Sequence, residues 1–178
     1  MIFDLINLDK LRRGIIYAGI LLLMLFFQTT LCARIAPLGV HAILLPIAVC
    51  AVGLFEGGVW GCVFGLFTGL LADRIFAETL VLYTLLMPAL GFGAGLLAEY
   101  YVNRRFFSFF FVCIAALLIT AFCQMFRLLV FSGADVLPLV RTALLQTLWS
   151  LPFTPVLYFP CRALARRNLA RKDNLWTD

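Results

Sequence analysis

Gly57-Gly58-Val59-Trp60-Gly61-Cys62-Val63-Phe64-Gly65-Leu66-Phe67-Thr68-Gly69-Leu70-Leu71-Ala72-Asp73 sets a glycine at every fourth position and closes on a carboxylate. Successive members of the series Gly57, Gly61, Gly65, Gly69 and Asp73 lie about 40° apart around a helix, so neighbours share a face. The residues between them are apolar, and a polar flank for solvent is missing. A soluble surface helix carries charges opposite its buried stripe. A glycine stripe in an otherwise apolar helix fits lipid surroundings, where small residues let a second helix approach closely.

The rest of the chain agrees. Of 178 residues, 64% are hydrophobic and 13% charged, against about 45–50% and about 25% in soluble domains. So few charges cannot cover a water-facing surface on a chain of this length. A hydrocarbon core about 30 Å thick needs about 20 apolar residues in helix. Six spans are predicted, at about 14–32, 38–55, 57–72, 79–98, 106–131 and 137–160, followed by a basic tail at 161–178. They form one all-α transmembrane domain, because lipid forbids unpaired backbone and no strand alternation appears. The second and third runs are short and separated only around Glu56, so a re-entrant pair is the alternative for them. The first run exceeds a signal peptide's apolar segment and lacks a clean cleavage site, which reads as an uncleaved anchor.

Basic residues set the orientation. Lys10, Arg12, Arg13, Arg104, Arg105, Arg162, Arg166, Arg167, Arg171 and Lys172 fall on one side of six spans. Arg34, Arg74 and Arg141 fall on the other, with Arg127 inside the fifth run. Both termini are therefore expected in the cytoplasm. The tail is expected to contact anionic lipid of the inner leaflet, or a protein partner, through Arg162, Arg166, Arg167, Arg171 and Lys172. The net charge of +5 is not arranged as a nucleic-acid face, so no nucleic-acid partner is expected. Tyr17, Tyr83, Tyr100, Tyr101 and Tyr158 all fall near span ends, where headgroup-level tyrosines gather.

Gly91, Ala94, Gly95 and Ala98 in the fourth run offer a match for the glycine ladder, so the third and fourth helices are expected to pack closely. Whether the ladder's partner is internal or belongs to another protein is open at this stage. Gln28, Asp73, Gln124 and Arg127 are the polar groups at span ends or within spans; Asp73 reads as a helix end reaching water, or as a partner for Arg127. Pro46, Pro88, Pro152 and Pro155 recur within spans, and the last two make the sixth the one most apt to break. Cys32, Cys50, Cys62, Cys113, Cys123 and Cys161 form no CxxC pair and read as small hydrophobes. His41 has no neighbouring ligand type. No catalytic constellation, metal site or cofactor site is predicted.

From Gln28 to about Leu97 the order of features resembles the MreD family of bacterial rod shape-determining membrane proteins. The first apolar helix ends in Phe27-Gln28-Thr29-Thr30-Leu31, and the glycine ladder runs into Gly69-Leu70-Leu71-Ala72-Asp73. Where the family often opens its second span with Pro-Asp, this chain has Val40-His41-Ala42. The resemblance implies a non-enzymatic scaffold of the cell-elongation complex that supports peptidoglycan synthesis. It also implies association with an MreC-like protein and, through it, with MreB, RodA and its transpeptidase partner. The family is similar in fold to the substrate-binding subunits of energy-coupling-factor transporters. The alternative is therefore a vitamin-binding membrane subunit, which needs several polar groups around an outward cavity.

Overall fold

In the computed structural model the described backbone covers residues 8–32, 42–75, 82–100, 106–132 and 136–174. Side chains are described within these ranges except at 8–11, 31, 32, 127, 128, 130–132 and 166–174. Every regular element among them is helical: α1 (Leu8–Phe27), ending in a π-helical turn (Gln28–Cys32), α2 (Leu45–Glu56), α3 (Gly58–Ile75), α4 (Leu82–Tyr100), α5 (Phe106–Ser132), α6 (Val136–Ser150) and α7 (Phe153–Asn174). The windows Arg12–Thr30, Gly58–Ile75, Leu82–Tyr100 and Phe106–Phe126 are each long and apolar enough to cross a membrane. The chain is thus a multi-pass helical membrane protein.

Helix α2 is the centre of the bundle. Every residue from Leu45 to Phe55 is buried, with α1, α3, α4, α5 and α7 packed around it. A helix apolar on all sides has no solvent face to offer and belongs inside. Its 12 residues span only about 18 Å at 1.5 Å per residue. The second expected span is therefore shorter than anticipated. Residues 42–44 precede the helix without regular structure, Leu44 already in the helical region of backbone space, and 38–41, His41 included, lie outside the described residues. Pro46 sits in the first turn of α2, where its missing N–H costs nothing.

Between α2 and α3 the chain reverses at Gly57, whose φ of 102° is open to glycine and strained for other residues. Gly57 N–H donates to the Gly53 carbonyl at 2.9 Å, and Gly61 N–H to the Gly57 carbonyl at 3.0 Å. Gly57 is thus the hinge of an α2–α3 hairpin, not the first rung of the α3 seam. Of the pair read as possibly re-entrant, α3 has the length of a full span and α2 does not.

The sixth expected span is two helices, as Pro152 foretells. The chain turns at Leu151–Pro152, held by Leu151 N–H to the Thr147 carbonyl (3.2 Å) and Thr154 N–H to the Leu151 carbonyl (3.0 Å). Pro155 falls in the first turn of α7, and Pro88 and Pro160 lie inside α4 and α7.

The tyrosines correct the sequence reading. Tyr17, Tyr83 and Tyr158 are buried in the bundle, and among the described tyrosines only Tyr100 is exposed; Tyr101 lies outside the described residues. Tyr158 packs among Phe55, Phe106 and Phe109, with ring centroids 5.2–5.7 Å apart. Cys50, Cys113 and Cys161 are buried, Cys62 and Cys123 half-buried, and all five are free thiols; the Cys32 side chain is not described.

Candidate functional site

The closest helix contact is built from glycines on three helices. A β-carbon placed on Gly53 of α2 or on Gly61 of α3 would collide with the backbone carbonyl oxygen of Gly91 in α4. One placed on Gly91 would strike the carbonyl of Gly61, and one on Gly95 would strike the backbone of Gly58. Further along α3, a β-carbon at Gly65 would lie 2.6 Å from the Met87 carbonyl oxygen. At Gly69 it would lie 2.5 Å from that of Tyr83. Backbone therefore meets backbone from Gly58 to Gly69 of α3 and from Tyr83 to Gly95 of α4. The partner of the ladder is internal to the chain. Gly57 has no atom near its would-be β-carbon and serves through its backbone conformation alone. Ala94 turns away from the seam, into a cluster with Cys50 and Ala116.

At its far end the seam closes on Asp73. Its carboxylate accepts from the N–H groups of Tyr83 (3.2 Å) and Thr84 (2.7 Å) and from the Thr84 hydroxyl (2.6 Å). Since α4 starts at Leu82, these amides belong to the helix's first turn, which has no carbonyl of its own to bond. Asp73 is a helix cap supplied by the preceding helix, and its negative charge sits at the positive end of α4. It is not a helix end reaching water. Gln124 of α5 donates from its side-chain amide to the Tyr83 hydroxyl, tying α5 to the same corner. The side chain of Arg127 lies outside the described residues.

A second cap serves α2. Gln28, in the π-helical turn, is buried. Its Oε1 accepts from the N–H groups of Leu44 (2.9 Å) and Leu45 (3.2 Å). Ser150, the last residue of α6, accepts from Ile43 N–H at 3.0 Å and donates to the Gln146 carbonyl at 2.8 Å. Leu44 itself carries no capping side chain, so donors that lipid cannot satisfy are met from α1 and α6. Sequence reading passed over Ser150; its signal is a small hydroxyl immediately before the break at Leu151–Pro152. It also passed over Gly53, although 53, 57, 61, 65 and 69 continue the same four-residue step.

At the opposite end of α2, Glu56 meets Arg13 of α1 at 3.3 Å, both largely shielded. The Tyr17 hydroxyl, buried and without a hydrogen bond of normal geometry among the described residues, lies beside that carboxylate. Arg162 lies over the Tyr158 ring, 5.5 Å from its centroid. The side chains of Arg166, Arg167, Arg171 and Lys172 lie outside the described residues, although their backbone continues α7 as helix.

Buried hydroxyls are mostly spent inside their own helices. Thr68, Thr120 and Thr147 each donate to the carbonyl four residues back, at 2.7–2.9 Å; Thr154 Oγ1 is buried and finds no partner among the described residues. Of the polar groups a small-molecule site would draw on, Gln28, Asp73, Gln124, Arg127 and Gln146, the first three are bonded to the protein itself. The arrangement holds helices together and offers no nucleophile–base pair among these groups.

The family described as rod shape-determining protein MreD matches residues 9–167. No curated protein matched the chain, and no solved structure did. The family match takes in the first six helices, the hairpin hinge, the glycine seam, both caps and much of α7. The chain accordingly belongs to the MreD family, and its role is structural rather than catalytic.

Proposed function

We propose that this protein is a membrane scaffold of the cell-elongation complex, supporting peptidoglycan synthesis and cell shape. It works as a single transmembrane domain in the bacterial cytoplasmic membrane. The observation that carries this reading is the family match over residues 9–167. The fate of the polar groups supports it. Gln28, Asp73 and Gln124 are consumed as caps and ties between helices, which suits a rigid body better than a ligand cavity. The fold of energy-coupling-factor substrate-binding subunits is a reasonable likeness for such a bundle, and the likeness does not transfer their function.

In this reading α6 and α7 together make the sixth crossing after α1 to α5, and the Leu8 end of α1 and the Asn174 end of α7 are cytoplasmic. The MreC-like protein is the direct partner, with MreB, RodA and its transpeptidase reached through it. Because the glycine seam is filled by α4 of the same chain, partners use the outward faces. The basic stretch Arg162, Arg166, Arg167, Arg171 and Lys172 attaches to anionic lipid or to a partner on the cytoplasmic side. Reporter fusions at positions 36, 76, 102, 134 and 178 test the crossings. External signals are expected at 36, 76 and 134 and internal ones at 102 and 178; an external signal at 178 overturns the arrangement.

A further inference from the structure

We propose that α6 is a hinged strap, pivoting at Leu151–Pro152 to open and close an apolar recess against α5 while the rest of the bundle stays fixed. The joint is short of hydrogen bonds. Pro152 has no N–H, so the Leu148 carbonyl lacks the donor that a continuing helix would place four residues on. Pro155 has none either, and the Leu151 carbonyl accepts from Thr154 N–H at 3.0 Å instead. That bond diverts the donor that helical register would give to the Ser150 carbonyl. Thr68, Thr120 and Thr147 return their hydroxyls to the carbonyl four residues back. Thr154 stands across the break from its own such carbonyl, and its buried hydroxyl finds no partner among the described residues.

The two arms of the joint are seated very differently. On α7, Thr154, Leu157, Tyr158 and Cys161 are each 0–1% exposed, and the helix packs against α2 and α5. On α6, Ala143, Thr147 and Ser150 alone of 15 residues are buried, and the main packing partner is α5. All three are small, so little apolar area holds the helix down. Towards the Val136 end the seat is open. A recess of about 250 Å³ lies between the helices, lined in part by Phe122, Phe126 and Leu129 of α5 and by Val136, Leu139 and Val140 of α6. Close-packed interiors leave few voids larger than a water. The bond from Ile43 N–H to Ser150 Oγ, at 3.0 Å, sits beside the joint. It pins the pivot and leaves the far end of α6 unheld. A thinly buried arm, a firmly buried one and an under-bonded joint between them give a segment that moves locally about a hinge.

The chain also bounds the travel. The lever from Leu151 to Leu137 is about 21 Å at 1.5 Å per residue, so a swing of about 10° carries Leu137 about 4 Å. Three residues lie between Ser132 of α5 and Val136 of α6, a link of at most about 14 Å.

The test is a pair of distances measured by double electron–electron resonance on the full chain in lipid nanodiscs. Spin labels enter through a non-natural amino acid, so the native cysteines stay in place. One pair joins Leu70 of α3 to Leu137 of α6, and the other joins Leu70 to Val156 of α7; all three side chains are at least 50% exposed. The first distribution is expected to be broader than the second by about 4 Å, the travel of a swing of about 10°. Leu139→Trp, which fills the recess, should narrow the first distribution. Pro152→Ala, which returns a donor to the Leu148 carbonyl, should narrow it too. The second distribution should stay unchanged in both variants and report intact folding. Equal widths for the two pairs in the otherwise wild-type chain overturn the proposal. A first distribution left as broad by either variant, with the second intact, overturns it as well, because the looseness then lies outside the joint and the recess.

Discussion

Replacing Gly65 by alanine adds one methyl group where α3 and α4 touch through their backbones. That methyl carbon would stand 2.6 Å from the Met87 carbonyl oxygen and 2.8 Å from both the Met87 carbonyl carbon and Pro88 N. None of these atoms belongs to a side chain that can rotate aside. An ordinary carbon–oxygen contact is roughly 3.4 Å, so α4 must withdraw by about 0.8 Å at this point. Gly61 and Gly69 hold α4 on either side with equally close backbone contacts, so the withdrawal opens the seam over several turns. Overpacking of this kind costs about 1–3 kcal/mol. In lipid the loss is not offset by apolar burial, because the tails are as apolar as the helices. Gly93→Ala is the matched control, since a β-carbon there meets nothing within 4 Å. Denaturant titration of both variants in one mild detergent measures the difference. Gly65→Ala should lose about 1–3 kcal/mol, and Gly93→Ala should be unchanged or slightly stabilised by the better helix propensity of alanine. Equal stabilities would refute the seam as a close backbone contact.

Three further outcomes follow from the caps and the ion pair. Asp73→Ala should cost about 1–2 kcal/mol, because it uncaps the first turn of α4; the same titration checks it, and Asp73→Asn should recover part of the loss. Gln28→Ala leaves the Leu44 and Leu45 N–H groups without their acceptor and should cost about 1–3 kcal/mol, with faster hydrogen exchange at the start of α2. A double-mutant cycle on Arg13→Ala and Glu56→Gln should give a coupling of up to about 1 kcal/mol that weakens with salt, since Arg13 is partly exposed.

The apolar runs were legible as helices because lipid leaves the backbone no alternative, and the break before α7 was legible because Pro152 forces it. The ladder's face was legible too, since a four-residue step maps directly onto a helix surface. What sequence does not carry is the depth of each element. The run 38–55 reads as one span, yet helix begins only at Leu45, because Gln28 and Ser150 supply acceptors that let the chain start a helix inside the bundle. Asp73 looked solvent-bound because its partners lie in the next helix. Glu56 and Arg13 are 43 positions apart, beyond any local pattern. Tyr17 and Tyr158 sit at the expected ends but face inward, since position along a span does not fix which side a residue takes.

Depletion of the protein from growing rod-shaped cells, with affinity capture from the same membranes, tests the scaffold reading most directly. Cells should become round or wide, and capture should recover the MreC-like partner. Cells that keep their shape while losing uptake of a single vitamin would contradict the account.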